Sequence, residues 1–260
     1  MPSVPFVKAH ACGNDFIIVD GAHAPPDLAG FTRAICDRHR GVGADGVEWL
    51  FPDTEADIQA RLLNADGSPA EISGNGTRCV AAYLVNNGAS GTIRVRTGAG
   101  IKTCTLFGRS GEEFEFEMAM GEPQVGDEFS ITLAFGPVSG IPVSMGNPHF
   151  VVFQNDFAPG WQAEAAEIGR HHDFKHGINV EFVRVRAKSE IEIRLFERGV
   201  GETQSSGTGS CASAVATIAA RRAESPLLVH APGGTQTVRW AGEFFLRGPA
   251  RLVCRGEFFI

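Results

Sequence analysis

Two serines set in glycine turns carry the most chemically suggestive pattern in the chain. Residues 71–79 read EISGNGTRC and residues 203–211 read TQSSGTGSC, so Ser73 and Ser206 each open a Ser-Gly-x-Gly run that leads into small and apolar residues. A helix starting at such a turn presents unpaired backbone N–H groups and a partial positive charge. Glycine lets that backbone approach a ligand closely. Each turn is therefore a seat for an anion. Each is equally an ordinary helix start, because serine is a favoured N-cap. A single copy would favour the ordinary reading; two copies at a repeat spacing favour the ligand. Phosphate is the weaker ligand, since the chain has neither GxxxxGK[ST] nor a GxGxxG between strand and helix. A carboxylate is expected. If both helix starts address one carboxylate, with a side chain on each side of its α-carbon, the arrangement suits two-base proton exchange. One group removes the α-proton, the opposite one delivers a proton, and the centre inverts.

The elements that must position these serines repeat. Ser206 lies 133 residues after Ser73, and the same offset places Gly13-Asn14 on Gly146-Asn147, GVEW (46–49) on NVEF (179–182), and RLLN (61–64) on RLFE (194–197). Four ungapped matches in one register imply two homologous halves. FVKAHACGNDFIIVD and SMGNPHFVVF each read as strand, Gly-Asn turn and strand. DIQARLLN and EIEIRLFE alternate as strands do. A helix is expected over roughly 75–85 and another over roughly 208–222, the second closing on two arginines that suit a helix C-terminus. TIRVRT, CTLFG, EFEFEM, TQTVRWAGEFFLRG and ARLVCRGEFFI read as further strands. The expected fold is α+β: two pseudo-symmetric domains from an internal duplication, each mostly antiparallel strands around a central helix. The halves are placed at 1–125 and 126–260, joined near GEPQVGDEFS, with the last strand free to return to the first half.

Composition narrows the function. The 260 residues are 43% hydrophobic and 20% charged, with a net charge of −7. That balance fits a globular protein and disfavours a nucleic-acid or anionic-membrane surface. Lys8, His10 and Asp15 interrupt any signal-peptide core, and no apolar run approaches the ~20 residues of a membrane helix. A cytoplasmic location is expected. The six cysteines (Cys12, Cys36, Cys79, Cys104, Cys211 and Cys254) form no CxxC pair and are read as free thiols. RHHDFKH (170–176) offers His171, His172 and His176 without an evident carboxylate or cysteine partner, so no metal is expected. No lysine sits in a Schiff-base motif, and no cofactor is expected.

Taken in order, KAHACGNDFIIVD, CDRHRGVGADGV, LLNADGSPAEISGNGTRC, MGNPHFVVF, GINVEFVRV and ERGVGETQSSGTGSCASAV resemble the sequence blocks of the diaminopimelate epimerases. Proline racemases, hydroxyproline epimerases and the phenazine-biosynthesis isomerases share that fold but resemble these blocks less. The resemblance spans nearly the whole chain. It implies a cofactor-independent isomerase that converts LL- to meso-diaminopimelate in lysine and cell-wall precursor synthesis, as a homodimer with its active site between the halves. It implies that Asn14, Asn64, Asn147, Asn179 and Arg198 hold the distal amino-acid end of the substrate. Gly74, Asn75, Gly207 and Thr208 would supply donors to the reacting carboxylate. His149 and Glu197 would lie beside the reacting centre and tune the bases.

The departure lies at the bases themselves. The family's two catalytic cysteines fall on Ser73 and Ser206. Cys79 and Cys211 lie more than a turn further along and do not obviously substitute. A helix N-terminus brings a thiol from ~8.5 toward neutrality. A hydroxyl ionises far less readily and normally needs a partner base. Three readings stand open from the sequence. The serines epimerise with help from His149 and Glu197. Alternatively, the chain has diverged to bind an amino acid, either without turnover or with a one-base isomerisation or elimination. Or both cysteines were replaced by engineering.

Overall fold

The computed structural model describes residues 3–260, and the chain separates into two compact units. One comprises the chain up to Met118 together with Gly248–Ile260; the other is Ala119–Arg247.

In the first unit β1 (Ser3–Ala11) and β2 (Asn14–Asp20) form a hairpin through Cys12 and Gly13, both at positive φ. Helix α1 (Leu28–Cys36) returns the chain so that β3 (Gly46–Phe51) lies parallel to β2. β4 (Ile58–Asn64) pairs antiparallel with β3, and the short β5 (Pro69–Ala70) leads into α2 (Gly74–Asn86). β6 (Thr92–Thr97) lies parallel to β4, β7 (Gly100–Ser110) pairs with β6, and β8 (Glu113–Gly121) pairs with β7.

The second unit repeats this plan. After β9 (Gln124–Val125) and β10 (Phe129–Leu133), β11 (Gly136–Ser144) and β12 (Pro148–Phe153) form the hairpin. Helix α3 (Trp161–Gly169) brings β13 (Asn179–Ala187) parallel to β12, and β14 (Glu190–Glu197) turns back along β13. β15 (Gly201–Thr203) leads into α4 (Gly207–Ala219), followed by β16 (Leu227–Ala231), β17 (Gly234–Ala241) and β18 (Glu243–Phe259). The repeat is kept residue by residue. Phe16 pairs with Gly46 as His149 pairs with Asn179, and both α2 and α4 are thirteen residues long. This is the two-domain, strand-rich α+β fold that the sequence pattern predicts.

Period-two burial decides which helix each strand face meets. On β3, Val47 and Trp49 join Phe31 and Ile35 of α1 in one apolar core. The intervening Glu48 points the other way and is nearly fully buried. In the second unit Val180 and Phe182 pack with Trp161 and Ile168 of α3, while Val183, Ile193 and Leu195 pack with Cys211, Ala214 and Val215 of α4.

Four local details differ from the sequence reading. Helices α1 and α3 go unread from the sequence; Asp27 caps α1 through Gly30 N–H, whereas α3 starts from a left-handed Gly160 without a side-chain cap. Helix α4 stops at Ala219, because Arg221 takes φ 58° and turns the chain, so the two arginines lie beyond the helix rather than closing it. The expected TQTVRWAGEFFLRG strand breaks at Gly242, whose φ of 84° makes a hairpin. Beyond that break the chain runs through Gly248-Pro249 as one strand, and its far part pairs with β1. No disulfide joins the six cysteines, and Cys254 alone among them is exposed.

Candidate active site

Ser73 and Ser206 are the N-caps of α2 and α4. Ser73 Oγ accepts from Gly76 N–H at 3.1 Å, and Ser206 Oγ accepts from Gly209 N–H at 3.2 Å. Both cap residues have extended φ/ψ, as N-caps do. Capping and chemistry do not compete here. The cap bond occupies an acceptor lone pair on each oxygen and leaves its proton available. The same N–H and the helix dipole would stabilise negative charge on that oxygen.

Around each helix start the two units place matching polar side chains. In the first, Asn75 Nδ2 donates to Asn14 Oδ1 at 3.2 Å. In the second, Asn147 Nδ2 donates to Thr208 Oγ1 at 3.3 Å. Asn14 is fixed from behind, its Nδ2 donating to Asp45 at 2.6 Å while Arg38 bridges Asp45 and Asp15. Burial pushes the Asp15 carboxyl up, but Arg38 and Lys8 outweigh it and hold it below the usual carboxylate value. Asn75 is buried and accepts from the Arg78 guanidinium. Gly74 has open space where a side chain would stand, whereas a Cβ on Gly207 would meet Leu246 at 3.3 Å.

The second unit carries more ionisable chemistry. His149 is 1% exposed; its Nδ1 lies 2.7 Å from Glu181 Oε1 and its Nε2 2.9 Å from Asn147 Oδ1. Both ring nitrogens thus face oxygens. Glu181 is fully buried, which raises its carboxyl above the ordinary value against the opposing pull of His149. Glu197 ends β14, and its Oε1 accepts from Thr203 Oγ1 at 2.9 Å. Burial also raises the Glu197 carboxyl, opposed by the hydroxyls of Thr203 and Ser206 and by His149. Asn179 Nδ2 donates to Pro148 O and its Oδ1 accepts Arg198 N–H, each at 2.9 Å, while the Arg198 guanidinium donates to His176 O.

The structure therefore groups Asn14 with Asn75, and Asn147 with Thr208 and His149. It groups Asn179 with Arg198, and Glu197 with Thr203. Asn64 does not join such a group; its Nδ2 donates to Ser68 Oγ at 3.1 Å. Three side chains absent from the sequence reading belong here: Glu48, Glu181 and Thr203. The first two had a signal, since GVEW and NVEF each set one glutamate inside an apolar strand at the same repeat position. The expectation that RHHDFKH lacks a carboxylate partner does not hold, because Asp173 brings a carboxylate oxygen within 4.8 Å of His171 and His172 nitrogens. That surface cluster lies on the loop after α3, and its ring and carboxylate atoms already pair with one another. No helix among the described residues is long and apolar enough to cross a membrane.

Comparison with known proteins places this geometry in a family. A sequence model described as diaminopimelate epimerase matches residues 6–126 and 141–253. A diaminopimelate epimerase of Pelotomaculum thermopropionicum is 39% identical, covering 97% of this chain and 98% of its own. One from Desulfitobacterium hafniense is 37% identical, covering 96% of each chain. Among solved structures, a hydroxyproline epimerase from Agrobacterium vitis with bound trans-4-hydroxy-L-proline superposes with a TM-score of 0.75 at 16% identity, covering 99% of this chain and 91% of its own.

Proposed function

Because the chain belongs to the diaminopimelate epimerase family, we propose that it inverts the α-carbon of diaminopimelate between the LL and meso forms in lysine biosynthesis, with Ser73 and Ser206 as the proton-transfer groups. The observation that carries this reading is the matched placement of Ser73 and Ser206 as N-caps of two thirteen-residue helices, each accepting from the third N–H of its helix.

Magnitudes decide how a serine would work here. A helix N-terminus stabilises an anion by at most ~2 kcal/mol, which lowers a hydroxyl's pKa by ~1.5. From a starting value as high as that of water, this leaves almost no alkoxide at pH 7. A preformed alkoxide is therefore the wrong species. The workable step is concerted. Ser206 Oγ takes the α-proton as its own proton passes to Glu197, and burial makes Glu197 the stronger base for the task. The reverse transfer restores the proton. The first-turn N–H groups at Gly74 and Asn75, and at Gly207 and Thr208, hold the reacting carboxylate. Asn14, Asn64, Asn147 and Asn179 hold the distal ammonium and carboxylate with Arg198, whose guanidinium suits bidentate pairing. His149, held by Glu181, favours the carboxylate form of Glu197 that this step needs. The same reading includes a cytoplasmic, homodimeric enzyme acting without a cofactor.

A second reading is favoured by a specific asymmetry. Phe16 and Asn64 occupy the repeat positions of His149 and Glu197, so the first unit has no imidazole or carboxylate at the places where the second has both. That favours one-base exchange at Ser206 without inversion. Proton NMR with LL-diaminopimelate in heavy water separates the readings. Loss of the α-proton signal together with the meso isomer supports epimerisation. Loss without meso product supports one-base exchange, and an unchanged spectrum in a sample that binds the ligand defeats both.

A further inference from the structure

Glu48 is the carboxylate that the first unit places under the start of α2. Its residue is 3% exposed, and it sits in the space that a side chain on Gly76 would need. An added Gly76 Cβ would lie 2.1 Å from Glu48 Oε1 and 3.3 Å from Ser73 Cβ, so Glu48 Oε1 and Ser73 Cβ are at most about 5.4 Å apart. With the serine hydroxyl rotated toward Glu48, one water spans that gap. The arrangement has a counterpart in the second unit. There Gly209 leaves room for Glu181 Oε1, which an added Cβ would meet at 3.0 Å, and Glu181 holds His149. Glu48 has no histidine to hold, because Phe16 stands at that repeat position.

We propose that Glu48 is the proton-relay partner of Ser73, a positioning residue that does for Ser73 what Glu197 does for Ser206. As Ser73 Oγ takes an α-proton, the Ser73 hydroxyl proton moves to the Glu48 carboxylate. In the opposite direction the Ser73 hydroxyl gives its proton to the carbanion and is resupplied from the Glu48 carboxylic acid. Burial raises Glu48 to about 8, so both of its protonation states are populated near neutral pH, as a relay requires. The strand neighbours in register with Glu48, Ile18 and Leu62, are apolar. The other titratable and charged groups about this helix start are Arg78, Cys79, Cys12 and Asp15. Arg78 is turned to Asn75 and to the carbonyls of Gly74 and Pro249, and Asp15 is paired with Lys8 and Arg38.

The inference rests on the epimerase reading, and its test separates the two. In the Ser206→Ala background, α-proton exchange in heavy water is expected to persist for one diaminopimelate isomer and to run through Ser73. Glu48→Gln should lower that exchange at least tenfold and remove an inflection near pH 8 from its pH profile. In the Ser73→Ala background, the same change should alter exchange of the other isomer less than twofold. Equal losses in both backgrounds, or a pH profile that keeps its inflection, overturn the Glu48 role and leave the epimerase reading standing. If the intact protein exchanges neither isomer, the epimerase reading fails. Glu48 is then judged on Ser73→Cys by iodoacetamide labelling, followed by peptide mass at position 73. Adding Glu48→Gln should speed labelling at pH 9 at least threefold, because an ionised Glu48 opposes the thiolate; equal rates overturn the pairing.

Discussion

Replacing Glu48 by glutamine removes a charge problem while keeping the shape, and its effect on stability can be worked out from burial. The Glu48 carboxyl is pushed from 4.5 to about 8 by desolvation alone. Folded protein therefore keeps it neutral at pH values where the unfolded chain ionises it. For a carboxylate raised on folding, the stability is greatest below pH 4.5 and is lost as pH climbs toward 8. The slope is about 1.4 kcal/mol per pH unit, accumulating to about 5 kcal/mol above pH 8. Glutamine has no such linkage. Urea unfolding of both proteins at pH 5, 7 and 9 is the assay, comparing midpoints at equal m-values. The two should be within about 1 kcal/mol at pH 5, and Glu48→Gln should lead by about 3 kcal/mol at pH 7 and about 5 kcal/mol at pH 9. Parallel stability curves would refute the assignment of Glu48 as a buried, unpaired acid, and the relay argument would lose its supporting chemistry.

The remaining predictions concern the serines and their supports. Glu197→Gln should lower exchange through Ser206 by ~10²–10⁴-fold, the range of a positioned general base. It should also abolish the acidic limb of the rate profile, which in the unaltered protein lies above the ordinary glutamate value because burial raises Glu197. A change under threefold in NMR-followed exchange would exclude Glu197 as that base. Ser73→Cys together with Ser206→Cys should raise turnover, because a helix N-terminus brings a thiol close to neutrality while leaving a hydroxyl far above it; slower turnover would mean that the site has been reshaped around hydroxyls. Gly76→Ala should destabilise by ~1–3 kcal/mol, because its Cβ would meet Glu48 Oε1 at 2.1 Å. Adding Glu48→Ala should return part of that loss in a denaturation cycle, and strict additivity would show that the two do not share the space.

The repeat made most of the fold legible. A constant offset of 133 fixed which strands and turns correspond, and the structure keeps that correspondence down to the pairing of Phe16 with Gly46 and His149 with Asn179. Helix starts were legible because Ser-Gly-x-Gly is a local signal, read within one turn of chain. Helices α1 and α3 were not, because LAGFTRAIC and WQAEAAEIG are nine residues each and their apolar faces are specified by the strands they cover. The polar contacts about the serines divide in the same way. Residues in contiguous motifs, such as Asn14, Asn75, Asn147, Thr208 and Asn179, could be named from sequence blocks. Thr203 could not, because what makes it matter is a neighbour on another element, the Glu197 carboxyl; Glu48 had its signal in the matched GVEW and NVEF strands, but its place beside Gly76 shows only in the structure.

Duplication supplies two identical scaffolds, and the chemistry follows from where they stop being identical. Both serines cap a thirteen-residue helix, both accept from the third N–H of that helix, and both have a glutamate filling the space beside it. A carboxylate in either place costs stability, so its retention in both halves calls for a use in each. In the second half that use is visible: Glu181 holds His149. In the first half the positions of His149 and Glu197 belong to Phe16 and Asn64, neither of which can exchange a proton near neutral pH. The group left to do so beside Ser73 is Glu48. Two-sided inversion by serines then requires two different relays, one through Glu197 and one through Glu48. Loss of either should turn inversion into exchange with retention rather than abolish proton transfer.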